Sequence, residues 1–228
     1  MIIGNGLVAK GFFPFNDQFD DCTVFAAGVS NSKEKEHSPN FLREKRTLLS
    51  ALEKNKGLKF LYFSTVLVGF KNNAYYAHKR EMESLVMDHA PSSIIFRVPQ
   101  IVGNTDNKNT LINNLSESIR NGKKLNVSLG VKRSIMDIDD VVEIVKYCKD
   151  NMDKGVVLIS GIEPLKVLTL CCKIGKVLNK PIKIVFNRRT EDNGWVHENS
   201  EITLKAIKHL GIRKKGYSTN VIKKYIKP

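Results

Sequence analysis

Residues 58–69 read LKFLYFSTVLVG and residues 75–89 read YYAHKREMESLVMDH. The first stretch is apolar without alternation, the signature of a parallel strand buried on both faces. It ends on hydroxyls at Ser64 and Thr65. The second stretch spaces Met82, Leu85, Val86 and His89 by three and four, which predicts a helix from Tyr75 to His89. A buried strand followed by a helix is half of a β-α-β unit.

The same alternation extends in both directions. MII opens as a short strand, Gly4-Asn5-Gly6 turns, and Leu7 to Phe12 starts a helix. DCTVFAAG is a buried strand with small residues at its end. Asn40 to Glu53 is helical, with Phe41, Leu48, Leu49 and Leu52 on one side. SIIFRVPQIVG reads as one further strand, ended by Pro99 and Gly103. Beyond about residue 104 the pattern loosens. Leu111 to Asn121 is helical, RSIMDIDDVVEIVKYCKD is a short strand entering a helix, and GVVLIS is a strand. LKVLTLCCKIGKVL is an amphipathic helix, PIKIVF is a last strand, and the basic end is helical. Strands alternating with helices predict an α/β fold with a parallel sheet and helices on both faces. With no repeat or linker, residues 1–228 are expected to form a single domain, residues from about 104 to 228 contributing a small C-terminal substrate-binding portion.

The formal charge is +14, from 37 basic and 23 acidic residues. That surplus favours anionic partners, although lysines also serve as solubilising surface. KRSIMD and IRKKGYS interleave few aromatics and match no recognised nucleic-acid module, so nucleic acid is not the expected partner. No run approaches the roughly 18 apolar residues of a membrane span. The opening lacks the basic leader of a secretion signal, and a soluble cytoplasmic protein is expected. Cys22, Cys148, Cys171 and Cys172 form no C-x-x-C pair, and reduced thiols are expected. His37, His78, His89, His197 and His209 lack metal spacing. Asp137, Asp139 and Asp140 read as caps and dipole partners rather than a metal site.

Two segments carry chemistry. Gly4-Asn5-Gly6-Leu7-Val8-Ala9 is G-x-G-x-x-A between a strand and a helix, where backbone N–H groups approach a phosphate. It serves equally as a tight turn with no ligand. On a helix, Tyr75 and Lys79 share a face. A nearby ammonium lowers a phenol's pKa and makes it a general acid/base, yet the same spacing occurs at ordinary solvated helix starts. Thr65 strengthens the catalytic alternative, because ligands of parallel sheets sit at the carboxyl ends of the strands.

Taken in order, these segments resemble the extended short-chain dehydrogenase/reductases, the NAD-dependent epimerase/dehydratase family acting on nucleotide sugars. AAGVSNS resembles the segment after the family's fourth strand, and STVLVG its hydroxyl-bearing fifth strand end. FRVPQIVG resembles its R-x-x-x-x-x-G element, and RSIMDIDDVVEIV its R-x-x-x-x-x-x-D element. The resemblance implies a Rossmann-like fold and NAD or NADP as cofactor. Tyr75 would be the acid/base, Lys79 would hold the cofactor ribose and tune Tyr75, and Thr65 would bind the reacting oxygen. Gly4, Gly6, Leu7, Val8, Ala26, Ala27, Gly28 and Val98 would line the cofactor. Arg133 would face a substrate phosphate. The implied activity is an epimerase or ketoreductase in surface-polysaccharide precursor synthesis, with a homodimer as one expected assembly. The alternative is a dinucleotide fold that has lost catalysis and serves as a binding module, followed by a nucleic-acid-binding protein that uses its basic surface.

Three departures stand out. Ile3 occupies the first glycine position of the family's G-x-x-G-x-x-G. About twenty residues separate the glycine turn from VFAAG, where the family spends a strand, a helix and another strand. The N-terminal region is therefore shortened on its adenosine side, and the choice of NAD or NADP is not legible. Val66-Leu67 follows Thr65 where 4,6-dehydratases carry Asp-Glu, which argues against that reaction.

Overall fold

The structure is a computed structural model that describes residues 1–55, 57–187 and 198–227; His197 lies outside the described residues. The strands are β1 (Ile2–Ile3), β2 (Cys22–Phe25), β3 (Lys59–Thr65), β4 (Ser93–Val98), β5 (Gln100–Val102), β6 (Lys124–Ser128), β7 (Lys132–Arg133), β8 (Ile135–Asp137), β9 (Gly155–Leu158), β10 (Leu165–Lys166) and β11 (Lys183–Asn187). The helices are α1 (Leu7–Phe12), α2 (Pro39–Lys54), α3 (Ala74–His89), α4 (Leu111–Arg120), α5 (Ile138–Asn151), α6 (Val167–Leu178), α7 (Glu201–His209) and α8 (Tyr217–Tyr225). None of these helices is long and apolar enough to cross a membrane.

The chain divides into two compact units. Unit 1 holds residues 1–98, 138–159 and 199–211, and unit 2 holds the rest. The second half of the sequence is thus shared: α5, β9 and α7 belong with the N-terminal strands.

Unit 1 is built on a five-stranded sheet of order β1-β2-β3-β4-β9, parallel at every pairing. Register sets its two faces. Phe25 pairs with Tyr62, and it stacks on both Tyr62 and Phe60, which share a face because side chains alternate. Leu48, Ala51 and Leu52 of α2 and Met82 and Val86 of α3 close over that face. On the opposite face Phe63 stacks on its register partner Phe96 and meets Phe12 of α1, which packs edge-on against Phe19. Each fully buried ring of this kind stabilises by about 1.5–3 kcal/mol. Helices therefore cover both faces, and the fold is α/β and Rossmann-like.

The ends of α2 and α3 follow local rules. Ser38 caps α2 by accepting from the Asn40 N–H at 3.3 Å, with Pro39 in the first turn. Asn73 caps α3 by accepting from the Tyr76 N–H at 3.1 Å. Between β1 and β2 the chain forms only α1 and a 3-10 stretch, Phe13–Phe19. Strand order accordingly never reverses, and β1 is an edge of the sheet. A dinucleotide fold ordinarily continues past this strand and places its ligand at the reversal.

Unit 2 contains three two-stranded ribbons: β5 with β8, β6 with β11, and β7 with β10. Helices α4, α6 and α8 pack with them. Asp137 anchors α8, accepting from Lys224 Nζ at 2.7 Å and Tyr225 Oη at 2.6 Å. Asp137 thus has a structural task beyond the cap expected of it. SIIFRVPQIVG is two strands rather than one: β4 ends at Val98, and β5 pairs with β8 in a different sheet. Pro99 has no N–H for the ladder, which is where the strand divides.

Candidate active site at the carboxyl edge of the parallel sheet

Because unit 1's sheet is all parallel, its strands deliver their carboxyl ends to one edge. Gly4 follows β1, Ala26, Ala27 and Gly28 follow β2, Thr65 ends β3, and Val98 ends β4 in register with Thr65. The Ala26 N–H donates to the Ile3 carbonyl at 2.8 Å and so continues the ladder one step beyond β2. Gly4 has φ +135°, and a Cβ there would lie 2.6 Å from the Ala26 carbonyl oxygen. Only glycine lets the chain turn this close to its neighbour. Gly6 is the N-cap of α1 in extended conformation, and Leu7 and Val8 form the helix's first turn.

Thr65 Oγ1 accepts from the Leu67 N–H at 3.3 Å, a bond that leaves its own hydroxyl hydrogen uncommitted. Ser64 Oγ, one position earlier, is buried and has no hydrogen-bond partner. Tyr75, in the first turn of α3, is 7% exposed and meets the Tyr76 ring edge-on. Burial pushes its phenol well above the ordinary value of 10, and the charge of Glu44 and then Tyr76 push the same way.

Lys79 is 2% exposed. Its Nζ donates to Glu44 Oε1 at 2.9 Å and to Tyr62 Oη at 3.3 Å. Gly28 stands close beside it: a Cβ on that residue would begin 2.7 Å from Nζ. Lys79 and Gly28 thus meet. The expected tuning of Tyr75 takes a different form, because the ammonium is ion-paired with a carboxylate.

That carboxylate escaped the sequence reading. Glu44 of α2 is fully buried. Its Oε1 accepts from Tyr62 Oη at 2.8 Å and from Lys79, and its Oε2 accepts from the Val29 N–H at 2.7 Å and from His78 Nε2 at 3.0 Å. The His78 ring stacks on Phe41 with centroids 4.4 Å apart. Burial alone would raise the Glu44 pKa. The Lys79 charge and the hydrogen bonds from His78, Val29 and Lys79 outweigh it and hold the group down to about 2. A signal was available: Glu44 lies three residues after Phe41 and four before Leu48, so it interrupts the apolar stripe of its helix.

Arg133 belongs to unit 2, on β7, where it pairs with Leu165 of β10 and donates to the Lys132 carbonyl at 2.9 Å. Among the described residues no group of three or more His, Cys, Asp or Glu is placed to hold a metal. The four cysteines are free thiols.

No protein-family model and no curated protein matches the sequence. Solved structures do. UDP-glucuronic acid 4-epimerase from Bacillus cereus, in complex with UDP-glucuronic acid and NAD, matches at TM-score 0.71 and 19% identity over 97% of this chain and 77% of its own. RMD from Pseudomonas aeruginosa, complexed with NADPH, matches at 0.70 and 16% over 90% and 80%. The dTDP-4-dehydrorhamnose reductase of Bacillus anthracis, in complex with NADP, matches at 0.68 and 14% over 96% and 84%. At such identities the likeness establishes the fold. It is the Rossmann-like fold found in these sugar-nucleotide epimerases and reductases, in agreement with the resemblance carried by the motifs.

Proposed function

We propose that this protein is an NAD(P)-dependent ketoreductase or epimerase acting on a nucleotide-linked sugar, within surface-polysaccharide precursor synthesis. The observation that supports this most is the close approach of Gly28 and Lys79 after β2 of a parallel sheet on which Thr65 ends β3 and Tyr75 stands in the first turn of the following helix, in a fold shared with such enzymes. The cofactor, when bound, supplies or accepts the hydride. Gly4 and Gly28 fit its approach, since each is a place where a side chain would collide with the site's own atoms. Thr65 would donate its free hydroxyl hydrogen to the reacting sugar oxygen, and Tyr75 would exchange the proton on that oxygen. Lys79 would orient the ribose with the one hydrogen that Glu44 and Tyr62 leave it. Arg133 would bind the substrate diphosphate through its planar fork.

A second reading has an observation of its own. Lys79 is bound within a buried ion pair, as suits a dinucleotide fold that binds ligand without turnover. Calorimetry with NAD(H) and NADP(H), followed by assays on UDP- and dTDP-linked sugars and their keto forms, separates the two. Binding with turnover supports the enzyme, and binding without turnover supports the module. Because strand order stops at β1, affinity for the dinucleotide is expected at micromolar or weaker, about −8 kcal/mol or less favourable. Binding of neither dinucleotide would overturn both readings.

A further inference from the structure

We infer that unit 2 carries a peripheral membrane-binding face: the lysines at the amino end of the β6–β11 ribbon, with the apolar side chains exposed along it, seat the protein on an anionic lipid bilayer. The inference goes beyond the activity proposed above and does not rest on it.

The charge of the chain is unevenly divided. Unit 2 holds 19 of the 37 basic residues but 7 of the 23 acidic ones, so +12 of the net +14 falls on it. Two helix-to-strand crossings concentrate the surplus. α4 leads into β6 and α6 into β11, the two helices pack together, and the strands run parallel with Lys124 opposite Lys183. The turns entering the strands therefore stand side by side, and a Cβ on Gly122 would lie 3.6 Å from Lys183 Nζ. Residues 111–128 and 164–187 hold eight basic residues and one acidic residue, Glu117. Some of these cations have local tasks: Arg120 donates to the Lys227 carbonyl, Lys173 donates to Thr219 Oγ1, and Lys176 complements the carboxyl end of α6. Lys123, Lys124, Lys180 and Lys183 lie beyond both helices and are exposed. Among the described residues none of the four is ion-paired.

A basic face alone suits any polyanion, and the apolar groups choose among them. β6 buries Leu125 and Val127 and exposes Lys124 and Asn126. On β11, Val185 pairs with Asn126 on that outer side and is 41% exposed. Phe186 is 51% exposed, and Leu129, just after β6, is 57% exposed. Phe186 stands about 10 Å along the strand from Lys183. Interfacial membrane segments combine the same two elements: apolar side chains enter the acyl boundary while lysines meet anionic headgroups. Duplex recognition instead needs guanidinium forks and amides at base edges, and single strands need aromatic platforms; Val185 and Leu129 supply neither. Among the described residues no helix is long and apolar enough to cross a membrane, so the attachment is peripheral.

The test is flotation of the full chain with vesicles of phosphatidylcholine mixed with phosphatidylglycerol, beside vesicles of phosphatidylcholine alone. Binding is expected to the mixed vesicles only, and it should weaken as salt rises. Each cation at an anionic surface contributes about fivefold, so Lys124→Gln/Lys180→Gln/Lys183→Gln should weaken binding about a hundredfold. Phe186→Ser should weaken it about tenfold and leave its salt dependence unchanged. If circular dichroism shows that Phe186→Ser does not fold, the lysine variant decides. Equal binding to both vesicles, binding to neither, or a lysine variant that floats like the wild type overturns the inference. So does a folded Phe186→Ser variant with wild-type affinity. An oligonucleotide that displaces the protein from the mixed vesicles, and whose own binding is lost in the lysine variant, assigns the face to nucleic acid and likewise overturns it. No cofactor or sugar enters these measurements, so absence of turnover counts against the proposed function alone.

Discussion

Tyr62 Oη lies 2.8 Å from Glu44 Oε1, joining the central strand β3 to helix α2 through a fully buried hydrogen bond. The bond ties an ionised carboxylate to the middle of the hydrophobic core, and it makes stability depend on the charge of that carboxylate.

Acid should therefore weaken the protein in a defined window. Glu44 has an ordinary value of 4.5 and is held down to about 2 in the fold. A depressed folded value contributes stability that is fully present above 4.5 and is lost as pH falls toward 2. The contribution is on the order of 3 kcal/mol. Urea unfolding between pH 6 and 2 should show this loss, and Glu44→Gln should show a shallower slope over the same range.

Tyr75→Phe should lower turnover by about a hundredfold or more while leaving dinucleotide affinity nearly unchanged. The substitution removes one hydroxyl from a ring that stays buried against Tyr76, so the fold should persist. Steady-state rates with an active keto sugar, alongside calorimetry, provide the check. Full turnover in the variant would remove Tyr75 from the mechanism.

Gly4→Ala should be costly out of proportion to one methyl group. The residue sits at φ +135°, and the new Cβ would press on the Ala26 carbonyl at 2.6 Å. Strain of this kind costs about 1–3 kcal/mol. The loss should be visible as a lower urea midpoint, with weaker dinucleotide binding, since the turn and the end of β2 move together. Wild-type stability would show that this turn relaxes freely.

Arg133→Lys should weaken the nucleotide sugar by about ten- to a hundredfold, the worth of a charge-assisted bond of roughly 1.5–3 kcal/mol. It should spare both dinucleotide affinity and the unfolding midpoint. Measuring both ligands on the same variant decides the matter, because equal small losses would reveal only the general pull of a +14 surface on anions.

What the sequence by itself determined is local and periodic. The apolar run before Ser64, the three-and-four spacing of Met82, Leu85 and Val86, and the small residues after Phe25 are enough to predict parallel strands alternating with helices. They also identify the edge where the strands end, because burial on both faces leaves its mark on every position of a strand. The ordered motifs and the short connection between the glycine turn and β2 were legible in the same way. KLNVS of β6 is too brief and too polar to show a period, and Leu165-Lys166, read with the helix LKVLTLCCKIGKVL, is instead the strand β10 that precedes α6. The division of SIIFRVPQIVG into β4 and β5 at Pro99 is not legible in the sequence, because a missing N–H acts only through the partner strand it fails to bind. Tertiary structure alone decided the electrostatics of the site. Tyr75 and Lys79 are four residues apart and share a helix face in any reading. Glu44 comes from a different helix, 35 positions before Lys79, and the folded sheet brings the two to 2.9 Å at a site buried from solvent. A charge pair of that kind depends on long-range packing and on burial, and neither is encoded in the spacing of a motif.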